Sequence, residues 1–252
     1  MALIEQLSIA SFLQNGCEYH LYCYEKVEGV PKGVMVRDAS EILPASEIFY
    51  YQHGLGKGSV AAFANLFRYK LLFERGGWWM DTDMVCLRPM EFSEPVVFAG
   101  QRLPEGTQQV TNTVIKFPQG HPAAQQCYEM ARRQNPKKLV WGETGPFLID
   151  HVVRENKLQQ FIKPPEVFCP VNYWEWESLA SPKPLAQLVT GETRAIHLWH
   201  ELWRRAGIEL DSTGKIQSTR FFQKLRRSLA KPGKSSPADA TPITELLHKY
   251  GL

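Results

Sequence analysis

Between Ser59 and Asp83 an amphipathic, helix-length segment runs into a glycine pair, an aromatic strand and an Asp-Thr-Asp. Nothing else in the chain constrains the fold as tightly. Val60, Phe63, Ala64, Phe67 and Leu71 recur at three- and four-residue spacing on one face, and Asn65, Arg68 and Leu72 form the adjacent stripe. The spacing predicts a helix from Ser59, as its cap, to Arg75, ended by Gly76-Gly77. Trp78-Trp79-Met80 then reads as an apolar strand, which puts Asp81 and Asp83 where a strand ends and a loop begins. Open α/β sheets place their ligands at such ends.

The remaining pattern is also α/β. Leu3, Ile4, Leu7, Ile9, Ala10 and Leu13 predict a first helix stopped by Asn15-Gly16. Tyr19–Tyr24 reads as a buried strand, followed by a turn at Pro31-Lys32-Gly33 and a short strand through Val34-Met35-Val36. Val96–Ala99, Thr113–Phe117 and Ala195–Trp199 read as strands, and His121–Arg133 and Glu143–Arg154 as helices. Arg220–Leu229 is expected to be a basic amphipathic helix, and Lys231–Thr241, rich in Pro, Ser, Ala and Lys, a linker.

Two carboxylates this close repel one another unless a cation is shared between them. Mg²⁺ or Mn²⁺ prefers oxygen ligands and bridges carboxylates to a diphosphate. A solvated turn with two charges is the alternative, and spacing by itself does not choose. A haloacid-dehalogenase-type phosphatase would also use an apolar strand followed by Asp-x-Asp. It needs a further acidic pair downstream, and the only later aspartates are the isolated Asp150, Asp211 and Asp239.

Composition narrows the class. A net charge of +3 gives no reason to expect a nucleic-acid partner. The five cysteines form no C-x-x-C pair or metal-ligand spacing and read as reduced core residues. No apolar run is long enough to span a bilayer, and the first residues carry neither a basic leader nor a cleavage site, so a cytoplasmic protein is expected.

Phe63–Leu72 followed by Glu74-Arg75-Gly76-Gly77-Trp78-Trp79-Met80-Asp81-Thr82-Asp83 resembles the Asp-x-Asp sugar-binding region of glycosyltransferase family 32. That group includes initiating mannosyltransferases, α-1,4-galactosyltransferases and bacterial capsule or lipopolysaccharide enzymes. The resemblance implies a GT-A-like α/β fold, a mixed central sheet flanked by helices. It also implies a divalent metal, Mn²⁺ or Mg²⁺, and retaining transfer of a hexose from a UDP- or GDP-sugar to a glycan or lipid-linked saccharide. Residues 1–230 would form this domain, and 231–252 a linker and short helical tail.

By the same resemblance Arg68 contacts donor sugar or phosphate, Trp79 lies beside the nucleotide, Asp81 binds donor and metal, and Asp83 is the main metal ligand. Asn65 stands where many relatives carry Asp, so a carboxylate contact to the sugar becomes an amide contact. Relatives usually open with a strand that helps hold the base, whereas this sequence opens in the helix that follows it.

Ala195-Ile196-His197-Leu198-Trp199-His200 resembles the family's late motif, with His197 a third metal ligand and Trp199 on the same side of the strand. His200 is not expected to take part. Thr144, Gly145 and Pro146 resemble a Thr-Gly-Pro segment of the donor pocket on its acceptor side; locally, Thr144 would also cap a helix. Asn112 is a further candidate for a polar contact to the donor. Tyr173–Glu177 offers either an aromatic shelf or local packing. Lys215–Lys234 holds seven Lys or Arg and no acid, which fits either peripheral contact with anionic lipid or a solvated basic face. A non-catalytic sugar- or nucleotide-binding protein built on the same frame remains the alternative.

Overall fold

The computed structural model describes residues 1–210, 214, 216–218 and 241–252. Helix α1 (Leu3–Gln14) leads into β1 (His20–Cys23), which pairs in parallel with β2 (Met35–Asp38). The expected strand is present, but it is only partly buried. Its partner β2 is mostly exposed, and no further strand pairs with the two among the described residues.

Helix α2 (Ala61–Arg75) starts two residues later than the pattern predicts, yet Ser59 still serves its first turn by accepting from the Ala61 N–H at 3.2 Å. Phe63, Phe67 and Leu71 enter the main core beside Tyr22, Tyr24 and Phe49. Burying a side chain of that size is worth roughly 1.5–3 kcal/mol, so this face fixes the helix on the sheet. The helix must stop at Gly76. Its φ is +68°, and a Cβ there would lie 2.5 Å from the Gln119 backbone nitrogen. The reversal delivers β3 (Gly77–Met80) with Asp81 at its end.

Strand β4 (Met84–Cys86) follows, then β5 (Val97–Arg102) and the long β6 (Gln108–Phe117). Strands β5 and β6 both run well past the segments read from sequence. Next come α3 (Pro122–Arg132), α4 (Pro146–Glu155), β7 (Ile162–Lys163) and the single turn α5 (Pro165–Phe168). The central sheet has the order β3-β6-β5-β7; its first two pairings are antiparallel and the last parallel. This is the mixed sheet with packed helices that the α/β, GT-A-like reading expected.

Strand β8 (Ala195–His197) pairs antiparallel with β4, setting Met84 opposite His197. After it come α6 (His200–Arg205), the hairpin β9 (Ile208–Leu210) with β10 (Ile216–Ser218), and α7 (Pro242–Tyr250). Ile243, Leu246, Leu247 and Tyr250 of α7 are buried in one cluster with Ile4 and Leu7 of α1 and Trp203 of α6. The basic helix expected over 220–229 and the linker expected over 231–241 lie outside the described residues, except Thr241, which caps α7. No described helix is long and apolar enough to cross a membrane.

Candidate active site

A buried arginine organises the first half of the site. Arg68 is almost wholly enclosed on α2, which an arginine tolerates only when paired. One guanidinium nitrogen donates to Asp81 Oδ1 at 2.9 Å and to the Asn112 carbonyl, and the group lies 4.7 Å over the Trp79 ring. Trp79 Nε1 donates to the same carboxylate oxygen at 2.7 Å. The Asn112 carbonyl lies where β6 bulges against β5. Phe98 is opposite Ile115 while its neighbour Ala99 is opposite Thr111, so residues 112–114 fall out of register with β5. Arg68 takes the carbonyl of Asn112, and the Asp81 N–H takes that of Thr113 at 3.0 Å.

Asp83 is held from the other end of the chain. Its carbonyl accepts from the Leu198 N–H at 3.0 Å, and its Oδ2 from the His200 N–H at 2.9 Å, with His197 Nε2 at 3.2 Å. Trp199 makes this turn possible by adopting φ +57°, a left-handed conformation that costs a bulky residue about 1–2 kcal/mol. Its ring lies 3.8 Å from that of His197, and its Nε1 donates to the Val171 carbonyl at 2.9 Å.

The two carboxyls titrate in opposite directions. Burial and the charge of Asp83 push Asp81 up, partly offset by Arg68 and Trp79. Burial would push Asp83 up as well, but the charge and hydrogen bond of His197 and the His200 N–H hold it down at about 2. Burial pulls His197 down, and Asp83 overcomes it, raising the imidazole to about 10.

Ligand atoms of Asp81, Asp83 and His197 all lie within 4.8 Å of one another. Two carboxylates and an imidazole suit a divalent ion bound mainly through oxygen. With Oδ1 of Asp81 taken by Arg68 and Trp79, its second oxygen remains for such an ion. The donor set fits the implied metal.

A buried amide chain adjoins this cluster. Asn112 Nδ2 donates to Asn65 Oδ1 at 2.7 Å, and Asn65 Nδ2 to Thr144 Oγ1 at 3.2 Å. Tyr69 donates its hydroxyl to the Thr144 carbonyl at 3.0 Å. Gly145 packs so closely that a Cβ there would stand 3.3 Å from both amides.

Residues 9–103 match the glycosyltransferase sugar-binding region containing the DXD motif, and residues 116–220 match the alpha 1,4-glycosyltransferase conserved region. Two separate parts of the chain are thus similar to DXD glycosyltransferases. It is 24% identical over 163 residues to lactosylceramide 4-alpha-galactosyltransferase of Rattus norvegicus, covering 59% of this chain and 42% of the relative. It is 25% identical over 151 residues to alpha-1,4-N-acetylglucosaminyltransferase of Homo sapiens, covering 54% and 41%. The chain therefore spans about two fifths of the length of these relatives. A solved PaToxG glycosyltransferase overlays with a TM-score of 0.45 at 13% identity, covering 64% of this chain and 70% of that one.

Within the matched regions Arg68, Trp79, Asp81, Asp83 and His197 converge, and Asn65, Asn112 and Thr144 form the adjoining chain. Three local expectations change. Thr144 does not cap α4, because its hydroxyl is taken by Asn65; Gly145 is the cap residue, with Pro146 as the first helical residue. Trp199 is not in the strand, which ends at His197; the left-handed turn, not alternation, brings the two rings together. His200 does take part, through its backbone N–H. Sequence reasoning also passed over Tyr69 and Thr113. Tyr69 sits four residues after Asn65 on the same helical stripe, which was a usable signal, whereas a backbone carbonyl carries no side-chain signal.

Proposed function

We propose that this protein transfers a hexose from a UDP- or GDP-sugar to a glycan or lipid-linked saccharide, with retention of anomeric configuration and with Mn²⁺ or Mg²⁺ bound by Asp81, Asp83 and His197. The convergence of those three ligand groups from two distant parts of the chain carries the reading. When bound, the ion would neutralise charge on the departing nucleoside diphosphate. Arg68 holds the Asp81 carboxylate in one orientation and keeps a positive charge beside the donor phosphates. Trp79 offers its indole face beside the nucleotide. Thr144, Gly145, Pro146 and the amides of Asn65 and Asn112 would bind the sugar. Retention would need no separate general base, which suits a cluster whose carboxylates are engaged with Arg68 and His197. The reading has the protein work in the cytoplasm, supported by five cysteines that stand as free thiols.

The test is nucleoside diphosphate release from a panel of nucleotide sugars with Mn²⁺, with Asp83→Ala alongside. Release from one donor, lost in the variant, is expected. Donor binding without turnover, with acceptors supplied, would favour a binding protein instead. That alternative draws on Asn65, whose amide is already engaged with Asn112 and Thr144.

A further inference from the structure

Two loops beside the amide chain expose apolar side chains that the site does not use. The first, residues 50–60, carries Leu55 at 76% exposure; the second, residues 135–147, carries Val140 at 67% and Phe147 at 60%. The loops are held together under these tips. The Tyr51 and Trp141 rings are 5.4 Å apart, Gly56 packs so tightly that a Cβ would meet the Trp141 ring at 2.5 Å, and Phe147 covers Gly142. Tyr51, Ala62 and Leu139 form a small buried core beneath them. Leu55 and Val140 therefore flank the Gly56–Trp141 contact, and Phe147 covers the adjoining Gly142, on a firm base.

Charge selects the partner. Lys57, Lys137 and Lys138 are exposed around these tips, and none forms an ion pair with a described residue. The first loop has no acid, and the second has Glu143 alone, whose carboxylate accepts from the Val140 N–H at 3.0 Å. A second copy meeting this face symmetrically would bring like charges together. Apolar tips ringed by unpaired lysines suit a surface that is anionic outside and apolar beneath.

We infer that the paired tips of the 50–60 and 135–147 loops dock the protein on an anionic lipid bilayer. Leu55, Val140 and Phe147 enter the headgroup boundary while Lys57, Lys137 and Lys138 face the lipid phosphates. Thr144 and Gly145 lie within the second loop, so docking would hold the sugar site at the bilayer surface. The inference does not depend on which donor is used.

Flotation of the full chain with vesicles tests it, comparing phosphatidylcholine containing phosphatidylglycerol with phosphatidylcholine alone. The protein is expected to float with the anionic vesicles only. The triple variant Leu55→Ser, Val140→Ser, Phe147→Ser should lose binding by about tenfold or more, and so should Lys57→Gln, Lys137→Gln, Lys138→Gln. All six side chains are exposed, so thermal melting and nucleoside diphosphate release with a water-soluble acceptor should stay unchanged. Failure of the wild-type chain to float overturns the inference. Undiminished binding by both triple variants does the same and moves the contact to the basic run 215–234. Self-association that disappears in the Ser variant would identify a second copy as the occupant, again against lipid.

Discussion

Asp81 and Asp83 are separated by one threonine, yet different halves of the chain hold them by different means. Asp81 belongs to the N-terminal assembly. Its carboxylate is fixed by a buried, permanently charged arginine on α2 and by an indole, and its N–H bonds the Thr113 carbonyl, continuing the β3–β6 pairing. Asp83 belongs to the C-terminal assembly, where its partners are a titratable imidazole and the N–H groups of a strained turn. A guanidinium keeps its charge throughout the range in which an imidazole titrates, and it occupies the carboxylate oxygen it holds. An imidazole–carboxylate contact is a proton in a place that a metal ion could take. The first carboxylate is therefore built as part of the scaffold, the second as the exchangeable half.

The strongest test of the scaffold half is Arg68→Met. The change leaves Asp81 without its cation and the Asn112 carbonyl without its donor, in a site mostly shut from water. Removing one partner of such a pair costs about 3 kcal/mol or more, read as a lower urea midpoint with an unchanged slope. Arg68→Lys restores the charge but does not reproduce the guanidinium fork, so it should recover only part of the loss. A loss below about 1 kcal/mol for Arg68→Met would mean that Asp81 is held as loosely as a surface carboxylate.

The exchangeable half is tested by metal. At roughly a hundredfold excess over its Kd, an ion that binds only the folded chain stabilises it by about 2.7 kcal/mol. Mn²⁺ should therefore raise Tm clearly in the wild-type chain and hardly at all in Asp83→Ala. The pH dependence has a definite sign. His197 is raised from 6.5 to about 10, so in the metal-free protein its contact with Asp83 contributes in full below the unfolded value and is lost as pH rises through about 10. A metal must displace that proton, so Mn²⁺ affinity should tighten as pH rises between those values, with a proton released into a weakly buffered solution. Affinity that is flat with pH would show that His197 is not a ligand.

The two halves were unequally legible in sequence. Helix α2, its glycine stop and the acid pair announced themselves because periodicity, a positive-φ glycine and an apolar strand are all local signals. Arg68 was readable from the family pattern, and its stripe with Asn65 from helical spacing. The partners that complete the site were not. The Asn112 carbonyl that Arg68 takes lies in the stretch where β5 and β6 slip register. Trp199 looked like a strand residue because alternation was assumed to continue, whereas the Asp83 carboxylate draws in the His200 N–H and the chain turns left-handed to supply it. Thr144 had the composition of a helix cap, yet a buried amide reached it first. In each case a tertiary contact outbid a correct local preference.

The smallest expected effect probes where the scaffold half ends. Asn65→Asp keeps the oxygen that accepts from Asn112 and replaces the amide nitrogen with a second acceptor, to which the Thr144 hydroxyl can donate by rotating. No volume changes, and the Asn112 carbonyl beside it is already tied to Arg68. The new charge is buried but near a guanidinium, so the net loss should be about 1 kcal/mol. If the carboxylates near Arg68 are scaffold, Mn²⁺ affinity should stay within about twofold of wild type, a difference of about 0.4 kcal/mol. The ranking of nucleotide-sugar donors should shift if Asn65 binds the sugar as proposed, because that group has exchanged a hydrogen-bond donor for a charge. A large gain in metal affinity would show instead that the ion reaches across to residue 65, and the division between a fixed and an exchangeable carboxylate would fail.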